Sequence, residues 1–199
     1  MSIVVEHEKR RREILEKALD VFMDEGFEDV TFQKIADRCG ITRTTLYIYF
    51  KNKREIFNFS IRQLLQTVER DITAISKEKD RSHSERLIQV MTVIFAQLEE
   101  NRRLLSVLLN YLVHASRSSD FDGDYRIRRR TVRLRHILAS ILIGGKKAGE
   151  FAPGINVKDA NELFYGFLEA ACFRLVILRR PSLGDLLNTV KLAVERLKQ

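Results

Sequence analysis

The sequence predicts an all-α protein of about nine helices, on three observations. Apolar residues return every three or four positions along most of the 199 residues, the period of a helix that buries one face. Only 9 Gly and 2 Pro are present, too few to turn the chain through a sandwich or a barrel. Apolar residues make up 45% and charged residues 31%, enough to bury helical cores and too apolar for a disordered chain.

The first helix is expected from Lys9, with Ile14, Leu15, Ala18, Leu19 and Phe22 on one face, and to end at Gly26, a residue that tolerates the left-handed conformation. Thr31 is a candidate N-cap for a short helix through Arg38, Gly40 makes a turn, and Thr42 caps a third helix over Arg43 to Tyr49. Asn52 followed by Glu55 has the form of a capping box, and the fourth helix then carries Phe57, Ile61, Leu64, Leu65, Val68, Ile72 and Ile75 as one stripe.

Lys77 to Ser84 is polar and connects to a fifth helix bearing Leu87, Val90, Met91, Ile94, Phe95 and Leu98, which Asn101 breaks. Leu104 to His114 is apolar nearly all round and predicts a buried sixth helix, followed by a loop over Ser116 to Asp124. The seventh begins near Tyr125 and is expected to wear out at Gly144, Gly145 and Gly149. Asn156 with Asp159 caps an eighth, whose run Leu163 to Leu178 is apolar on most faces. Pro181 and Ser182, with Asp185, open a ninth with the seam Leu183, Leu186, Leu187, Val190, Val194 and Leu197.

The net charge of +8 suggests a polyanionic partner, but its distribution matters more. Residues 1–60 hold 11 basic and 11 acidic side chains and are neutral. Within them, Lys34, Arg38, Arg43, Lys51, Lys53 and Arg54 face Asp37 alone between Thr31 and Arg54, a local +5. Cys39 and Cys172 offer no disulfide framework, and there is no secretory h-region and no apolar run of membrane length. A reducing cytoplasm is the expected location, with no membrane partner.

From Phe32 to Tyr49 the apolar positions are Ile35, Cys39, Ile41, Leu46 and Tyr49, with small Ala36 where two helices cross and Gly40 at the turn. This is the spacing of a helix-turn-helix. Extended to Ile14 through Phe57, the text ILEKALDVFMDEGFEDVTFQKIADRCGITRTTLYIYFKNKREIF resembles the DNA-binding domain of the tetracycline-repressor (TetR) family of bacterial transcription regulators. Beyond Phe57 the resemblance is architectural, through the helix count, the stretch GKKAGEF and the last helix pair.

The resemblance implies a three-helix DNA-binding domain over 1–54, joined by the long fourth helix to an effector-binding and dimerisation domain over 55–199. It makes the helix with Arg43, Thr44 and Thr45 the recognition helix. Arg43 is placed to read guanine, Gln33 is a candidate for adenine, and the two threonines face a thymine methyl or a phosphate. Tyr47, Tyr49 and Lys53, with Thr31, match positions that hold the phosphate backbone. The sequence departs from the common family pattern at Cys39, where alanine is frequent, and at Arg43 and Thr44. Lys9, Arg10, Arg11 and Arg12, ahead of the apolar stripe of the first helix, form either a DNA-contacting arm or an exposed charged helix start.

The expected activity is that of a homodimeric repressor paired through the eighth and ninth helices, released from a palindromic operator by a small-molecule effector. The alternative is a ligand-independent DNA-binding factor that recruits a protein. Phe95, Tyr111, Tyr125, Arg128, Phe164 and Phe167 are candidate effector contacts, although aromatic residues at this spacing also build ordinary core. Arg126, Arg128, Arg129, Arg130, Arg133 and Arg135 form either a cationic pocket mouth for an anion such as an acyl-coenzyme A, or surface salt bridges to acids such as Asp120, Asp122 and Asp124. No catalytic constellation, metal cluster or cofactor fingerprint is found: the histidines lack ligand spacing and the glycines follow no strand.

Overall fold

The computed structural model describes the backbone of residues 2–115 and 123–199 and the side chains of residues 5–113 and 132–199. Among the described residues there are nine helices and no strand: α1 (Ser2–Glu25), α2 (Phe32–Cys39), α3 (Arg43–Tyr49), α4 (Lys53–Ser76), α5 (His83–Glu100), α6 (Arg102–Ala115), α7 (Gly123–Lys147), α8 (Val157–Val176) and α9 (Gly184–Arg196). The expected loop over Ser116 to Asp124 lies largely outside them. The chain forms two compact units, one of Met1–Leu64 with Arg103–Phe121, the other of Leu65–Arg102 with Asp122–Gln199.

In the first unit, α1 buries Ile14, Leu15, Ala18, Val21 and Phe22, against which α2 sets Ile35, Ala36 and Cys39. Phe22, Phe27, Phe57 and Tyr111 make an aromatic cluster, with ring centroids 4.8 to 5.9 Å apart. Tyr111 comes from α6, which an ion pair from Arg103 to Asp20 also ties to α1. The sixth helix is less buried than its composition predicts: Leu104, Leu105 and Val107 are covered, while Val113 is 53% exposed.

α1 begins at Ser2 rather than at Lys9. The added turns have partners that sequence spacing does not reveal. The His7 ring stacks on Tyr49, and one turn later the Arg11 guanidinium lies over Phe59 and Phe50, 4.1 and 4.9 Å from the ring centroids.

In the second unit, α5 is the central helix, packed by α7, α8 and α9. Its start is held twice. Ser82 and Glu85 form a capping box, and the Glu150 carboxylate accepts from His83 N–H at 2.7 Å, His83 Nδ1–H at 3.0 Å, Ser84 N–H at 2.7 Å and the Ser84 hydroxyl. Gly144 and Gly145 do not end α7, as the sequence suggested, but lie inside it. A Cβ at Gly144 would stand 2.5 Å from His83 Nε2, and one at Gly145 would overlap the Phe151 ring. Close approach, rather than helix termination, requires these glycines. The ending belongs to Gly149, at φ 71°. α9 starts at Gly184 without a side-chain cap, and Leu183 N–H is taken instead by Glu99.

Partial burial raises the Glu150 carboxyl's affinity for a proton, but the hydrogen bonds from Ser84 and His83 outweigh it and hold the pKa down to about 2. The folded-state value lies below the ordinary 4.5, so this contribution to stability is complete above 4.5 and is lost as the pH falls to about 2. Glu150→Gln is expected to destabilise the second unit by about 1 to 2 kcal/mol, the scale of a lost helix cap. Thermal melts at pH 7 and pH 3 measure this, and the gap between wild type and variant should shrink at the lower pH.

Candidate DNA interface

The helix-turn-helix is built from local chemistry. The Thr31 hydroxyl accepts from Lys34 N–H at 3.2 Å and starts α2. Gly40 ends it at φ 69°, donating to Asp37 O, while Ile41 N–H reaches back to Ala36 O. The Thr42 hydroxyl then accepts from Thr45 N–H at 3.0 Å and opens α3. Buried Ala36 and Leu46 form the crossing, and α3 is left with one covered side.

Its uncovered side carries Arg43, Thr44, Tyr47 and Ile48. Arg43 donates to the Tyr47 hydroxyl at 3.1 Å, with its guanidinium 5.7 Å from the Tyr47 ring centroid. Five donors sit on a guanidinium, so that bond leaves enough for a bidentate contact to a base. Gln33 is exposed on α2 and donates to Asp37 at 2.7 Å. Ile48 is 68% exposed and is absent from the sequence reading, although its place one turn after Thr44 is the available signal. An exposed aliphatic group there suits a thymine methyl.

Other expected residues are occupied by the fold. The Thr45 hydroxyl pairs with that of Thr42 at 2.8 Å. Lys53 Nζ donates to Phe27 O and Glu28 O at 2.8 and 2.7 Å and lies 5.0 Å from the Phe27 ring centroid. This fastens the first turn of α4 to the α1–α2 loop and leaves one ammonium donor. Tyr49 is half-buried against His7.

The local charge has a simple account. Asp24 and Glu25 of α1 pair with Arg38 and Lys34 of α2, which neutralises one side of α2. Arg43, Lys51 and Arg54 remain exposed around α3 and the start of α4. A neutral domain thereby presents a cationic edge.

The candidate effector residues divide between the units. Tyr111 belongs to the aromatic cluster of the first, whereas Phe95 and Phe164 are buried in the second, with Phe167 5.9 Å from Phe164. The side chains of Tyr125 and Arg128, like those of Arg126, Arg129 and Arg130, lie outside the described residues. Arg133 pairs with Glu69, and Arg135 pairs with Glu162 while lying over Tyr165 at 3.7 Å. Burial pushes the Cys39 thiol up, and the Cys172 thiol up to about 11; neither is poised as a nucleophile. Among the described residues no His, Cys, Asp or Glu group is placed to hold a metal ion.

Residues 14–58 match the family described as bacterial regulatory proteins, tetR family. The fatty acid metabolism regulator protein of Bacillus subtilis is 29% identical over 161 residues, covering 79% of this chain and 78% of that protein. The HTH-type transcriptional regulator BetI of Brucella canis is 28% identical over 146 residues, 73% of each chain. Among solved structures, the transcriptional regulator FadR of Bacillus subtilis in complex with stearoyl-CoA superposes with a TM-score of 0.69 at 25% identity, over 92% of this chain and 96% of the other. The fatty acid degradation regulator FadR of Bacillus halodurans gives 0.75 at 21% identity, over 95% and 94%.

Arg43→Ala is expected to cost about 1 to 3 kcal/mol of discrimination at one base pair and to relax preference there. Tyr47→Phe should weaken every duplex about equally and leave the preference intact. Binding-site selection on each variant separates the two effects.

Proposed function

The chain belongs to the TetR family of bacterial transcription regulators, and we propose that it is a homodimeric repressor released from a palindromic operator by a small-molecule effector. The observation that carries this reading is the capped α3, held from behind by buried Leu46 and presenting Arg43, Thr44, Tyr47 and Ile48 outward beside a cationic edge. Two such helices spaced about 34 Å apart enter successive major grooves on one DNA face. Its relatives are regulators, and we read this chain as a regulator rather than an enzyme.

Pairing through α8 and α9 is supported by an uncovered line on α8. Leu163, Gly166, Ala170, Phe173 and Ile177 are spaced by three and four residues, with Leu163, Phe173 and Ile177 exposed by 48, 52 and 59%. The small residues in the middle let a second helix approach closely. Leu192, 60% exposed on α9, extends the apolar surface.

For the effector we favour a long-chain acyl-coenzyme A, since a 25% identical regulator was solved with stearoyl-CoA. Its binding would act on α4, which begins in the first unit and ends in the second. No helix among the described residues is long and apolar enough to cross a membrane, and we place the protein in the cytoplasm with its DNA.

Binding-site selection from random duplex should return a palindrome bound at least about 10³-fold more tightly than scrambled DNA at physiological salt. Stearoyl-CoA should then lower operator affinity tenfold or more, a differential of about 1.4 kcal/mol. Selection without enrichment would sink the operator proposal. Affinity unmoved by acyl-coenzyme A and by free fatty acid would favour the ligand-independent factor. Phe173→Glu is expected to yield monomers by sedimentation and to lose operator binding, while the helical content stays unchanged.

A further inference from the structure

The first turns of α1 have no role in the site described so far, yet they are tied to the end of α3 at two points. The His7 ring stacks on the Tyr49 ring, with centroids 4.6 Å apart and planes 28° apart. One turn on, Arg11 lies over Phe59 and Phe50, at 4.1 and 4.9 Å. Residues four apart share a helix face, so one face of α1 is clamped to the end of α3 and the first turns of α4.

Beside this clamp is a cleft of about 490 Å³, lined by Glu6, His7, Lys9, Arg10, Glu13 and Tyr49. Its acids and bases offset one another, and Arg10 is already paired with Glu13 at 2.8 Å. The cleft is therefore poorly suited to draw in a phosphate by charge. It does leave Tyr49 half-buried, with the stacked ring supported and not enclosed. An unsupported tyrosine at a helix end populates several rotamers, and freezing them on binding costs affinity.

We propose that His7 is a positioning residue: by stacking on Tyr49 it holds the tyrosine hydroxyl where the DNA backbone passes, so the rotamer is fixed before DNA arrives. The proposal rests on the DNA-binding reading and adds the start of α1 to it. The support is aromatic in character, so a flat apolar ring in place of the imidazole should serve.

The test is a double-mutant cycle read by affinity for the selected duplex and for a scrambled one. His7→Ala should weaken both by about 3- to 10-fold, the scale of an aromatic pair. His7→Phe should stay within about twofold of wild type. Tyr49→Phe keeps the stack and removes the hydroxyl, and in that background His7→Ala should cause no further loss. Melting curves of all variants should coincide.

Losses that add in the double variant would overturn the positioning role, as would a His7→Phe variant no better than His7→Ala. Full affinity in His7→Ala beside a weakened Tyr49→Phe would overturn it while leaving the backbone contact of Tyr49 intact. Full affinity in Tyr49→Phe would remove that contact, and the positioning role with it. Absence of DNA binding by the wild-type chain would overturn the functional reading itself.

Discussion

The loop between α1 and α2 and the start of α4 are held in place by the packing of four rings. Phe22 from α1, Phe27 from the loop after it, Phe57 from α4 and Tyr111 from α6 lie with centroids 4.8 to 5.9 Å apart. The buried rings of Phe22, Phe27 and Phe57 each contribute about 1.5 to 3 kcal/mol by leaving water, and tilted and edge-on pairs add about 0.5 to 1.5 kcal/mol each. Lys53 closes the arrangement from the α4 side by donating to the carbonyls of Phe27 and Glu28. The α1–α2 loop, which could otherwise move, becomes a fixed bracket between α1 and α4.

That bracket lets α2 and α3 remain short and polar on one side. Their ends are satisfied by Thr31, Gly40 and Thr42, and their covered side by Ile35, Ala36, Cys39 and Leu46. Among the described residues, Arg43 and Gln33 bond to neighbours on the same helix surface, and Ile48 is exposed. Substitution at these exposed positions therefore carries little cost to folding. Thr45 and Lys53 stand on the other side of this division, since the cap and the bracket use their polar groups.

Local features were legible in the sequence and distant pairings were not. Both threonine caps, the left-handed Gly40 and the bounds of α3 followed from residues within one turn of each other. The start of α1 did not, because its partners Tyr49 and Phe59 lie more than forty residues away. The second duty of Lys53 was hidden, because nothing nearby in sequence shows that Phe27 and Glu28 offer it carbonyls. Gly144 and Gly145 suggested a helix end, the commoner use of glycine, whereas contact with His83 and Phe151 requires them inside the helix. Ile48 escaped notice for the opposite reason: an apolar residue in a helix suggests core until its face is known.

A stretch of about fifty residues buries too little surface to be comfortably stable alone, and the composition of the first unit shows how this chain meets that limit. The unit takes Phe57 and Ile61 from α4 and Leu104, Leu105 and Val107 from α6 to complete its core, with the half-buried Tyr111 ring against Phe27 and Phe57. The residues that stabilise the DNA-binding element therefore sit on helices with other obligations, and α4 continues from Leu65 into the second unit. Close-packed rings move together or lose contact, so a displacement of Phe57 on α4 is felt by Phe22 and Phe27.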